Sequence, residues 1–224
     1  MNYDLSKFKC LSGSALKVIA VISMTIDHVA LYVMAENLGM QNLWLYDVLR
    51  GVGRLAFPIF AFLVVEGYLH THNIYKYVMS LLLAAFVSEI PWNLSGQHDS
   101  HNVLFTLLLG LISISITDRF PKQSWMLIIP SCCMAIVATV ANTDYSWHGI
   151  GLMTIFFLFR NKPFLIFLFG LPFLMEFGLI GTSGGILICL TYNGERGFVQ
   201  GKWLKYAFYF FYPLHLMMIW LFVK

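Results

Sequence analysis

Asp27 and His28 stand side by side deep in an apolar run, where each ionisable side chain costs about 2.5–3.5 kcal/mol and so needs a partner or a purpose. Arg54, Glu66, Glu89, Glu176 and His215 interrupt other apolar runs in the same way, and His148 stands at the start of one. These residue types supply the parts of proton transfer: an imidazole that titrates near neutrality, carboxylates to orient it and a guanidinium to steady an anion. Neighbouring helical residues point roughly 100° apart, so Asp27 and His28 need not touch. Two polar groups in one apolar span nevertheless point to a water-accessible cavity. Structural roles compete at each position. Arg54 suits an interhelical ion pair with Asp27 or Glu89, Glu66 a pair with Lys17 or Lys76, and His215 a hydrogen-bonded packing role. The segment Tyr192-Asn193-Gly194-Glu195-Arg196-Gly197, followed by Lys202 and Lys205, reads as a turn whose amides and basic groups suit phosphate. Anchoring at a membrane surface explains the same lysines without a ligand.

The elements that carry these residues follow from composition. Of 224 residues 59% are hydrophobic and only 11% charged, too few to cover a soluble protein of this size. A bilayer removes that demand, because lipid-facing surfaces are apolar. The sequence predicts an all-α, polytopic transmembrane bundle formed by residues 1–224 as one domain, with the bilayer as its first partner. Apolar runs predict helices over 14–35, 50–70, 76–93, 102–118, 124–141, 147–160, 163–179, 182–192 and 203–223. That gives about nine spans, eight to ten allowing for the short, glycine-rich eighth. The first run, interrupted by Asp27-His28 and followed by no small-x-small site, reads as a retained span and not a cleaved signal peptide. Cys10, Cys132, Cys133 and Cys189 show no metal-ligand spacing, so no metal is expected. The net charge of +3 gives no reason to invoke nucleic acid.

Positive charge alternates between connections. Lys7, Lys9 and Lys17 precede or open the first span, and the even-numbered connections carry Lys76; Arg119 and Lys122; Arg160 and Lys162; Arg196, Lys202 and Lys205. Arg50 is the main exception. The pattern puts the N-terminus in the cytoplasm and, with nine spans, the C-terminus outside. Counting along each helix then puts Asp27 and Glu89 roughly 20 Å from the cytoplasmic end and Arg54 roughly 6 Å below the outer surface. His215 falls in the outer half of the last span. Lys17, Glu66, Arg160 and the 196–205 segment form an inner set.

Longer blocks carry a resemblance. Lys17-Val-Ile-Ala-Val-Ile-Ser-Met-Thr-Ile-Asp27-His28 and Gly53-Arg54-Leu-Ala-Phe-Pro-Ile-Phe-Ala-Phe-Leu-Val-Val-Glu66-Gly67 resemble the opening of the TraX family, named for a membrane protein that N-acetylates conjugative pilin. Glu89-Ile-Pro91-Trp-Asn93, Asn102 to Thr106, Asn193-Gly-Glu-Arg196-Gly197 and Tyr212-Pro213-Leu-His215 continue it in order along the chain. A more distant similarity is to membrane acyltransferases of sugars and polysaccharides, in which an Arg and a His stand eleven positions apart in the first span. Lys17 and His28 keep that spacing here. Lysine retains the charge without the planar fork of arginine.

The resemblance implies an acetyltransferase of the bacterial cytoplasmic membrane, drawing acetyl groups from cytoplasmic acetyl-CoA and passing them to a pilin-like peptide N-terminus or a cell-surface glycan outside. His28 is then the expected general base, tuned by Asp27 or Glu89. Arg54 polarises the thioester carbonyl or holds Asp27, and His215 is a reserve for proton transfer or orientation. Lys17, Arg160, Asn193, Arg196, Lys202 and Lys205 are the expected holders of the nucleotide phosphates. A proton-coupled transporter also places Asp, His, Glu and Arg in its spans, but needs no basic rim on the donor side. A non-catalytic assembly factor for a surface structure is the third alternative.

Overall fold

The computed structural model describes residues 9–34, 43–120, 125–199 and 201–224, without the side chains of Trp125, Lys202 and Lys205. Lys7 and Lys122, two of the alternating positive charges, lie outside the described residues. Every regular element among the described residues is helical, and each apolar run forms helix. They are α1 (Gly13–His28), α2 (Leu43–Gly53), α3 (Ala56–Leu69), α4 (Ile74–Leu94), α5 (Val103–Thr117), α6 (Ile129–Val140), α7 (Ser146–Leu158), α8 (Pro163–Leu174), α9 (Leu179–Leu190) and α10 (Lys202–Val223). A π-helical turn, Val29–Met34, continues α1 directly after His28.

The second apolar run differs from expectation. It begins at Leu43, seven residues before the predicted start, and Leu43–Leu69 is interrupted by a turn at Arg54-Leu55. Pro58 has no N–H to offer the Arg54 carbonyl, so the helical ladder lapses there. The earlier start also carries Arg54 about 16 Å into the run, to the depth of Asp27 on the antiparallel α1.

Among the described residues, four stretches are long and apolar enough to cross a membrane: Gly13–Met34, Leu43–Leu69, Ile74–Leu94 and Tyr206–Val223, the shortest of 18 residues. At 1.5 Å per residue, 18 residues span about 27 Å, close to the hydrocarbon thickness of roughly 30 Å. Five shorter apolar helices accompany them. Large apolar side chains such as Ile22, Leu83, Phe86, Ile90, Ile136, Val140 and Phe222 face outward, as lipid requires. The chain is a helical membrane protein.

The central helix is α3, packed against α1, α5, α7 and α9. Phe57, Ile59, Ala61, Phe62, Val64 and Val65 are all buried, so its apolar residues pack on several sides, with Glu66 as the one charged residue in the helix. Helix α10 closes the bundle by packing on α4 and on the π-helical turn.

The start of α1 is strapped to the α9–α10 connection. Leu11 N donates to the Thr191 carbonyl at 3.1 Å, Gly13 N to that of Glu195 at 2.8 Å and Ser14 N to that of Arg196 at 3.0 Å. Ser12 caps α1 through Ala15 N at 3.3 Å. The Ser14 hydroxyl donates to the Arg196 carbonyl and accepts from Val199 N, both at 2.7 Å. Helix N-termini expose donors that need such partners.

Candidate functional site

A cavity of about 640 Å³ runs along α1 and α3. Gly13 and His28 both line it, and their fifteen-position separation corresponds to about 22 Å of helix. Lys17, Glu66, His70 and Arg196 line one end; Asp27, His28, Arg54, Asp144 and Tyr145 line the other.

At the second end Arg50 Nη1 donates to Asp27 Oδ2 at 2.6 Å, joining α2 to α1. Gly53 lets the two helices meet: a Cβ there would strike the Asp27 side chain and come within 2.7 Å of its Cα. Arg54 follows Arg50 by four residues, on the same side of the chain, and its Nη1 donates to the Tyr145 hydroxyl at 3.0 Å. Arg54 is also held between aromatic faces, 5.8 Å from the Tyr145 ring and 5.7 Å from that of Phe177.

His28 meets His215 across the bundle. Its Nδ1 lies 2.6 Å from His215 Nε2, and His215 Nδ1 lies 2.9 Å from the Phe211 carbonyl. The two rings are within 6° of parallel with centroids 4.9 Å apart, an edge-to-edge pair bridged by one hydrogen. A carbonyl can only accept, so His215 donates from Nδ1 and, when neutral, accepts at Nε2. His28 must then donate from Nδ1, which leaves its Nε2 as a lone pair. Tyr32 and Tyr212 flank the His28 ring at 5.8 and 6.2 Å. Their hydroxyls and Asp27 Oδ1 are buried without a hydrogen-bond partner among the described residues.

The predicted site residues thus divide. Asp27, His28 and Arg54 share the cavity wall, with His215 directly behind His28, and Lys17 and Arg196 line the opposite end. Glu89 is turned away: it holds His101 Nδ1 at 2.5 Å and Asn102 Nδ2 at 2.5 Å, where it supports the start of α5. His28 is therefore oriented by an imidazole and not by Asp27 or Glu89, since Asp27 is engaged by Arg50. Asn193 shapes its turn, its Oδ1 accepting from Glu195 N at 2.9 Å. Arg160 is exposed beyond α7 and is not on the cavity wall. The Lys202 and Lys205 side chains lie outside the described residues. Glu176 pairs with His148 at 3.2 Å, apart from the cavity.

Sequence reasoning missed Arg50, Asp144 and Tyr145. The first had a signal, because Arg50 and Arg54 are four apart and share a helical face once the run begins at Leu43. Asp144 lies in the loop between α6 and α7, where burial pushes its carboxyl up to about 6 against the pull of Arg54. A carboxyl raised in this way binds its proton more tightly folded than unfolded. Stability accordingly falls as pH rises from the ordinary value of 3.8 to about 6, and the cost is complete above that. Asp144→Asn is expected to raise the thermal midpoint at pH 7, by the equivalent of about 1–3 kcal/mol, and to lose the advantage below about pH 4. Thermal unfolding of the two proteins in detergent across that range checks it.

No solved structure matches this chain. A Dichelobacter nodosus protein described as probable fimbrial assembly protein FimC, serogroup H1, is 27% identical across 97% of this chain and 96% of its own length. The family described as TraX protein matches residues 12–223, a range that takes in every residue of the cavity wall, and the chain therefore belongs to the TraX family.

Proposed function

We propose that this protein is a membrane-embedded acetyltransferase that carries an acetyl group from cytoplasmic acetyl-CoA to an acceptor at the outer face of the bacterial cytoplasmic membrane. The acceptor is a pilin-like peptide N-terminus or a cell-surface glycan. The proposed topology has nine spans with the N-terminus inside, an orientation that the alternation of lysine and arginine supports. One observation carries the reading: a single cavity is lined by Lys17 and Arg196 at one end and by His28 and Arg54 at the other, with His215 hydrogen-bonded behind His28.

The basic end receives the nucleotide phosphates of the donor. Lys17 and His28 are eleven positions apart, roughly 16 Å of helix, which is of the order of an extended pantetheine arm. The thioester then reaches His28 and Arg54 with no acyl-enzyme intermediate. His28 Nε2, its lone pair set by the chain from Nδ1 through His215 to the Phe211 carbonyl, takes the proton of the acceptor N–H or O–H as that atom attacks the carbonyl carbon. Arg54 faces the oxygen on which negative charge develops. Collapse breaks the C–S bond, and the thiolate recovers the proton from His28. The products are acetylated acceptor and free CoA.

Purified protein in proteoliposomes with acetyl-CoA is expected to release free CoA when a pilin-like peptide or a glycan is supplied, and little without one. Proton-dependent uptake of solute with no CoA release would replace this reading with a transporter.

A further inference from the structure

Tyr145 shows a combination of features that its place at the start of α7 does not require. Its backbone is left-handed, φ +60° and ψ −7°, and Asn142 and Ser146 nearby also have positive φ, at 48° and 37°. Non-glycine residues adopt that region at a cost and persist in it only where the surroundings force them. A helix start alone needs no such strain. Helices α1, α4 and α5 begin from extended residues whose side chains cap the first turn, whereas Tyr145 makes no side-chain cap.

The surroundings do force it. His101 N donates to the Asn142 carbonyl at 3.0 Å, and Asp144 N to that of His101 at 2.9 Å. Thr106 reaches the Thr143 hydroxyl at 2.9 Å and the Asp144 carbonyl. The phenol ring is clamped, parallel to Phe57 at 3.7 Å and against Phe177 at 4.4 Å. All of this fixes one hydroxyl on the wall of the cavity that also contains His28. Arg54 occupies one lone pair of that hydroxyl at 3.0 Å. An O–H that accepts from a guanidinium turns its own hydrogen away from the cation, and the charged donor makes it a stronger donor in turn.

We infer that Tyr145 is a catalytic residue of the acyl transfer, its phenol donating a hydrogen bond to the oxyanion formed on the thioester carbonyl. The inference rests on the acetyltransferase reading above and adds a residue to it. As the acceptor atom bonds to the carbonyl carbon, the C=O π pair moves to oxygen and is met by Tyr145 O–H and the Arg54 guanidinium. When the C–S bond breaks, the pair returns to the carbonyl and Tyr145 keeps its proton throughout. Asp144 beside it is a positioning residue, tied through its backbone.

Tyr145→Phe retains the ring between Phe57 and Phe177 and removes only the donor. Its kcat is expected to fall about 10²–10³-fold, with the KM for acetyl-CoA within about twofold of wild type. Fluorinated tyrosines of graded acidity at position 145 are expected to change kcat in step with phenol acidity, which a merely structural tyrosine would not do. Unchanged kcat in Tyr145→Phe, alongside an inactive His28→Ala, overturns the inference and leaves the acetyltransferase reading standing. A wild-type protein that never turns over acetyl-CoA overturns both. Should Tyr145→Phe fail to fold, the fluorotyrosine series decides, and a kcat indifferent to phenol acidity overturns the inference.

Discussion

His28→Ala is expected to lower acetyl transfer from acetyl-CoA by about 10²–10⁴-fold while the protein still accumulates in the membrane. The imidazole borders a cavity already present, so its loss enlarges existing space and opens no new hole in the packed core. What disappears is His28 Nε2, the lone pair that the hydrogen-bond chain leaves with no donor among the described residues. His215→Phe separates orientation from proton transfer. It keeps an aromatic ring beside Phe211 and Tyr212 but removes the acceptor for His28 Nδ1. A smaller loss of about tenfold is expected there, because His28 then shares its proton between two nitrogens. CoA release measured in proteoliposomes distinguishes the three proteins. Turnover above a tenth of wild type in His28→Ala would remove His28 from the role of base.

The second large effect concerns stability. Asp27→Ala leaves Arg50 without the carboxylate it holds at 2.6 Å, in a pair whose side chains are only 18% and 15% exposed. Breaking a buried ion pair from one side costs about 3–5 kcal/mol, because the remaining charge stays desolvated. The expected result is a protein that accumulates poorly in the membrane and, once extracted, melts well below wild type. Replacing both partners by apolar residues, Asp27→Leu with Arg50→Met, is expected to recover most of that stability, since neither charge is then stranded. Thermal unfolding of the single and double variants measures the difference. A double variant no more stable than Asp27→Ala would show that the pair is not what joins α1 to α2.

Much of the helical framework was legible because hydrophobic runs and bilayer thickness constrain each other. Runs such as 76–93 and 102–118 form helices within two residues of the predicted limits. The start of α2 was misplaced for a physical reason. Arg50 read as a boundary charge, yet with Asp27 opposite it a guanidinium lies well inside the run. Pro58 stood in the sequence as a cause of the Arg54-Leu55 turn. The site was legible only in its members. Asp27, His28, Arg54 and His215 announced themselves as charges in apolar surroundings, but their pairing depends on tertiary contacts. His28 and His215 are 187 positions apart, and nothing local links them. Tyr145 was invisible, because one tyrosine among eleven carries no mark of a left-handed backbone imposed by loops around His101 and Thr143.

The strap between the start of α1 and residues 191–199 has a consequence for biosynthesis. Helix α1 is translated well before the connection that caps it: the carbonyls that satisfy its leading N–H groups belong to residues some 180 positions later. Until the ribosome has made that connection, those N–H groups lack the carbonyls that hold them in the finished protein. Completion of the cavity wall is therefore a late event of synthesis, because Tyr192, Gly194, Arg196 and Val199, which line it, are made only with that connection.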